Sequence, residues 1–208
     1  MKLPSQTKGE LYSTRRIENL TDGVFAIAMT LLVLDLVVPQ IGGVVSDGVL
    51  LEALKGLSSN FISFTLSFII LGLMWSVHTR QFEYITKVND TLVVLNTARL
   101  FIVVLIPFTT SLNGHYPNLI IGQIFYPLNL FLLALVTYIQ GVYASRHREF
   151  YREYSETNIR AGQNRSLVFL IVAGLVCLAI IPLGNMAFFG FLLIPLILRL
   201  PVFKKKTV

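Results

Sequence analysis

The chain has 208 residues, 54% of them hydrophobic and 13% charged, with a formal net charge of +6 and a mean hydropathy of +0.71. A soluble globular surface calls for about 25% charged residues, so an all-α integral membrane protein is expected instead. The basic excess does not point to nucleic acid, because no soluble basic domain is present to carry it. The single Cys177 excludes an intrachain disulfide and reads as a small packing residue.

In chain order, Met1 to Tyr12 are polar and lack the apolar core of a signal peptide, so the first crossing is expected to stay in the mature chain. Apolar runs follow at about 20–38, 57–78, 91–112, 119–145, 165–183 and 185–203, which predicts six crossings in one domain spanning 1–208. With the N-terminus inside, the cytoplasmic side receives Lys2, Lys8, Arg15, Arg16, Arg80, Lys87, Arg146, Arg148, Arg152, Arg160, Arg165, Arg199 and Lys204 to Lys206. The opposite side receives only Lys55, so both termini are expected in the cytoplasm. The first outer connection, Gln40 to Gly56, reads as a Gly-rich loop. The inner connection from Ser145 to Arg165 alternates Arg146, Arg148 and Arg152 with Glu149, Glu153 and Glu156, and is expected to extend the fourth crossing as a solvated or interfacial helix. Pro107, Pro127 and Pro195 fall inside apolar runs and should kink them.

The first run is unlike a plain anchor. It carries Arg16 and Asp22 at its head, Thr30 in its middle and Asp35 near its far end, and such groups are costly against lipid. At about 100° per residue, Ile27, Leu31 and Leu34 share one stripe, with Gly23 and Thr30 at its edge. Periodicity alone leaves two readings of the stripe: a face packed on a neighbouring helix, or a face presented to a pore. The order Arg16, three residues, Leu20-Thr21-Asp22, then an apolar helix to Leu34-Asp35 resembles the signature of the lysosomal potassium channel family called transmembrane protein 175, in its prokaryotic single-repeat form. Leu20 and Thr21 replace the Phe and Ser of that signature, and Trp75-Ser-Val-His78 is a second match.

That resemblance implies a homotetramer in which four copies of the first helix surround an axis, a structural network of Arg16, Thr21, Asp22, Trp75 and His78, and stacked hydrophobic rings at Ile27, Leu31 and Leu34 that select and gate. Ordinary chemistry supports such a filter. An apolar constriction strips water from an ion, potassium gives up its hydration more easily than sodium, and a narrow apolar ring dewets. The Thr-Val-Gly-Tyr-Gly carbonyl filter is absent from the chain. Thr30, one turn beyond Ile27, offers hydroxyls to a partly dehydrated ion.

Alternatives stand beside these roles. Thr21 and Asp22 also suit the capped first turn of a helix, and His78 an interfacial hydrogen bond; a metal role for His78 lacks partner ligands. Asp35 is either a solvated interfacial acid or, repeated by symmetry, an outer ring that concentrates cations. Arg99, about 12 Å into the third crossing, either snorkels or pairs with Asp22 or Glu18. No phosphate loop, metal-protease motif or acid–base pair suggests an enzyme. The expected function is a potassium-permeable channel in a prokaryotic plasma membrane, with permeant potassium, no cofactor, and membrane lipid and further copies of itself as partners. A secondary carrier of small solutes or protons, and a non-transporting membrane scaffold, are the competing readings.

Overall fold

The computed structural model describes residues 11–43, 46–152 and 155–199. Lys2, Lys8, Glu153, Lys204 to Lys206 and the tail of the expected sixth crossing lie outside them. The fold is all-α, apart from a two-residue antiparallel pairing of β1 (Tyr12–Ser13) with β2 (Lys87–Val88). The first crossing is α1 (Arg15–Leu31), tightened into a 3-10 turn over Leu32–Asp35. It begins five residues earlier than hydropathy suggested, because Thr14 pins the start by accepting from the backbone N–H groups of Ile17 and Glu18.

The first outer connection contains a helix, α2 (Asp47–Gly56), entered through Ser46, whose side chain accepts from the Val49 N–H. Next comes α3 (Ser58–Phe82), then α4 (Asp90–Val104), opened by Asn89 capping Leu92. The third crossing is broken at Leu105 and resumes as α5 (Ile106–His115). Pro107 has no N–H and crowds the carbonyl four residues back. Asn129 repairs the gap when its amide nitrogen donates to the Ile102 carbonyl (3.3 Å) and its oxygen accepts from the Ile106 N–H (3.2 Å). This is the route by which a bundle buried in lipid satisfies freed backbone groups.

The longest well-packed pair is α6 (Ile120–Ser145) with α7 (Glu156–Leu183), and α6 also touches α3, α4 and α5, which makes it the spine of the bundle. Leu133, Val103, Ile106, Ile180 and Leu71 are fully buried around it. The expected helical extension of the fourth crossing does not form. α6 stops at Ser145, a 3-10 turn covers Arg148–Phe150, and α7 starts at Glu156. Phe150 explains the difference: it is buried in a satellite cluster with Phe82, Ile85, Val88, Leu92 and Ala144, and its ring stacks on His147. Burying one aromatic side chain outweighs exposed charge pairs worth about 0.3–0.5 kcal/mol each. Within α7 Glu156 pairs with Arg160, at 4.0 Å.

Among the described residues five helical stretches are long and apolar enough to cross a membrane, the last covering Glu156–Leu198. That stretch is folded. Gly184 ends α7 with φ +53°, a backbone conformation that favours glycine, and a 3-10 segment, Gly184–Leu192, leads back into α8 (Leu193–Leu198) along α7. A Cβ built on Gly190 would lie 3.0 Å from Val176, so the two arms of this hairpin are in close contact.

Candidate functional site

α1 has two faces. Thr21, Phe25, Ala28 and Leu32 point into the protomer against α3 and α4, while Gly23, Ile27, Thr30, Leu31 and Leu34 point away from it. Ile27 is 61% and Leu34 68% exposed, against 2% for Phe25. The stripe read from the sequence is therefore unpartnered within one copy. Thr30 donates its hydroxyl proton to the Ile27 carbonyl (2.8 Å), which leaves its oxygen lone pairs as the outward-facing polar group, the polarity a cation requires.

The inner face is held by polar groups. Thr21 and Asp22 lie two turns into α1 and do not cap it; Thr21 instead donates to the Ile17 carbonyl (2.8 Å). Two limbs then reach the neighbouring helices. Trp75 of α3 donates its indole N–H to Asp22 (2.8 Å). Thr21 accepts from the Asn96 amide of α4 (3.1 Å). The Asn96 oxygen in turn accepts from Arg99 (2.7 Å) and from Gln140 of α6 (3.4 Å), and Arg99 reaches His78 Nδ1 at 2.5 Å. A guanidinium can only donate, so His78 Nδ1 is an unprotonated acceptor here.

Of the five residues expected in this network, Thr21, Asp22, Trp75 and His78 are brought together, and Arg16 is not. Arg16 is exposed in the first turn of α1 and makes no hydrogen bond or ion pair among the described residues. Arg99, with 1% of its surface exposed, pairs with neither Asp22 nor Glu18; its acceptors are the neutral Asn96 and His78. Asn96 is the hub, and sequence reasoning passed over it and Gln140. The signal was there: Asn96 precedes Arg99 by three residues inside an apolar run, which puts both on one helix face.

The sequence leaves Asp35 two readings, a solvated interfacial acid or part of an outer ring. Its carboxylate turns into the protomer, 9% exposed, and accepts from Ser111 (2.6 Å) and Asn60 (3.3 Å) with His115 at 3.5 Å. The 3-10 turn rotates Asp35 off the stripe that carries Leu34. Gly114 makes room for this cluster, since a Cβ there would lie 3.1 Å from the Asn60 amide and 3.2 Å from the Asp35 carboxylate. Gly114→Val is accordingly expected to part Asp35 from Asn60 and cost about 1–3 kcal/mol. Thermal unfolding in detergent checks this, and an unchanged midpoint rejects it.

The two ends of the bundle differ in charge. One end gathers Arg15, Arg16, Arg80, Lys87, Arg146, Arg148, Arg152 and Arg165 around the β1–β2 pairing, the Ile85–Tyr151 bridge and the bond from Gln163 to Ser145 (2.7 Å). The other end holds the cluster of Asp35, Asn60 and Ser111, and Asn185, which bonds Asn113 (3.2 Å) and the Pro117 carbonyl (3.3 Å).

The chain is similar to known proteins. The sequence profile of the family described as endosomal/lysosomal potassium channel TMEM175 matches residues 16–107, the segment that holds α1, α3 and α4. A protein of Streptomyces collinus named a potassium channel is 38% identical over 101 residues, 49% of this chain and 48% of its own. Another of that name from Chamaesiphon minutus is 38% identical over 107 residues, 51% of this chain and 52% of its own. The chain thus matches about half the length of these curated relatives. The crystal structure of a lysosomal potassium-selective channel TMEM175 homologue from Chamaesiphon minutus superposes with a TM-score of 0.77 at 25% identity, covering 90% of this chain and 98% of that one. The motif, the profile over residues 16–107 and the shared fold make the chain similar to the prokaryotic channels of the TMEM175 family.

Proposed function

We propose that the protein is a potassium-permeable channel of a prokaryotic plasma membrane, formed by four copies whose α1 helices meet at a central axis. The observation that carries this reading is the outward stripe of α1. Ile27, Leu31 and Leu34 form an exposed apolar row, while the opposite face of the same helix is tied by Thr21 and Asp22 to α3 and α4. A helix tied in this way can hold an apolar constriction at a fixed radius, which dehydration selectivity requires. The protomer interior is a poor route for cations, because Arg99 sits there with neutral partners. Permeation between copies agrees with that charge.

In this reading the chain is a single domain. The hairpin at Gly184 supplies a fifth and a sixth crossing, and the arginine-rich end lies in the cytoplasm with both termini. Potassium is the permeant ion and no resident cofactor takes part. Ile27 is filter and gate together, with Thr30 offering its lone pairs one turn away. Asp22 and Trp75 set the tilt of α1.

Proteoliposomes test this directly. Potassium should leave down its gradient with no co-substrate, and light scattering in detergent should give the mass of four chains. Flux that saturates and needs a second solute would replace the channel with a carrier, and a monomer would remove the axis. Vertebrate relatives, such as that of Gallus gallus at 35% identity over 112 residues, are named endosomal/lysosomal proton channels. A pH-sensitive dye in the same vesicles therefore reads proton flux as the second possibility.

A further inference from the structure

At the arginine-rich end, α3, α7 and α8 with the adjoining Arg199 border a cavity of about 210 Å³. Arg80, Arg165 and Arg199 line it together with Leu73, Val77 and Leu198, and among the described residues no carboxylate lines it. Glu83 lines a separate cleft shared by Arg80 and Arg165. Among the described residues no ion pair includes Arg80 or Arg199, and both are exposed.

The lining has a direction. Arg80 lies in the last turn of α3, while Val77 and Leu73 lie one and two turns further into the span. Arg199 directly follows α8, with the apolar Leu198 before it. Three cations therefore sit at the depth of the headgroups and open onto an apolar floor that runs toward the bilayer core. A free anion has no use for that floor, and a neutral lipid has no use for the cations. A molecule with a phosphate at one end and a hydrocarbon chain at the other matches both.

We infer that this cavity binds an anionic phospholipid of the adjoining leaflet, its phosphate among Arg80, Arg165 and Arg199 and one acyl chain against Leu73 and Val77. Bound there, the lipid bridges α3 to the α7–α8 hairpin. The site involves no residue of the α1 stripe and stands whether or not the protein conducts ions.

Native mass spectrometry of the full chain released from detergent, with phosphatidylglycerol or phosphatidylcholine added, is the test. Wild type should retain phosphatidylglycerol in preference. Arg80→Gln with Arg199→Gln should lower its retention by about tenfold or more, on the scale of about fivefold per basic residue at a charged membrane surface. Lys87→Gln, at the same end but outside the cavity, should leave retention unchanged. Equal retention of the two lipids, equal loss in Lys87→Gln, or full retention in the double variant overturns the assignment. Inorganic phosphate at millimolar concentration that displaces the lipid completely would show a simple anion site instead. Both arginines are exposed, and a sizing profile equal to wild type confirms that the double variant folds.

Discussion

Ile27→Asn is expected to raise potassium current and to weaken the preference for potassium over sodium. The Ile27 side chain is 61% exposed on the outward face of α1, so four copies meeting at an axis place four such side chains in one ring. Asparagine is smaller than isoleucine and carries an amide that water and ions can use, which widens the ring, removes the dewetting barrier and lowers part of the dehydration cost. Selection by dehydration depends on that cost, so current and selectivity should move in opposite directions. A tenfold change in permeability ratio is worth about 59 mV for a monovalent ion, so a threefold loss of preference shifts the bi-ionic reversal potential by about 28 mV. If the stripe faced lipid instead, the same substitution would put an amide into hydrocarbon and destabilise the protein with no change in reversal potential. Larger current with unchanged reversal potential would separate gate from filter, and no change in either would remove Ile27 from the pathway.

The face of α1 was legible because membrane helices keep a simple 3.6-residue period. Ile27, Leu31 and Leu34 fall on one side, and the structure leaves that side uncovered. The helix ends were less legible. α1 starts at Arg15 and α7 at Glu156, each several residues into polar sequence, because helical hydrogen bonding continues past the hydrocarbon boundary where hydropathy falls. The connection between α6 and α7 was misread for a similar reason. Its charge pattern suits a helix, but the decisive residue is Phe150, whose burial depends on β2 and the end of α3, and spacing within the segment does not reveal those elements.

The polar groups divide along the same line. Thr21, Asp22, Trp75 and His78 were found through a motif, while the groups that connect them belong to helices remote in sequence. Arg99 was noticed for its charge and read as either snorkelling or pairing with an acid, because acids are the usual counter-ions. The fold offers Asn96 and His78 instead, a choice that depends on how α3 and α4 are each set against α1 and α6. Asp35 could be placed in the sequence only near the outer end of the helix, because the change from α-helix to 3-10 turn after Leu31 alters which way its side chain faces.

Asn96→Leu should be the most destabilising single change in the bundle, and more so than removing Arg99 itself. Asn96 supplies the acceptor for one guanidinium nitrogen of Arg99, takes a bond from Gln140 and donates to Thr21. Without it, a buried cation keeps His78 alone, and breaking a buried charged contact from one side costs about 3–5 kcal/mol. Arg99→Met leaves only neutral acceptors short of a donor, at about 1–3 kcal/mol. Part of even that is offset, because Nε of Arg99 has no acceptor among the described residues. The order of effects is therefore the reverse of what side-chain size suggests, although Arg99 is among the largest fully buried side chains. A double variant, Asn96→Leu with Arg99→Met, should recover much of the stability lost in Asn96→Leu, since the uncompensated charge disappears with its partner. Unfolding midpoints in detergent for the three variants decide the matter. If Arg99→Met unfolds first, or the double variant is no better than Asn96→Leu, then the guanidinium holds the helices together and Asn96 merely accompanies it.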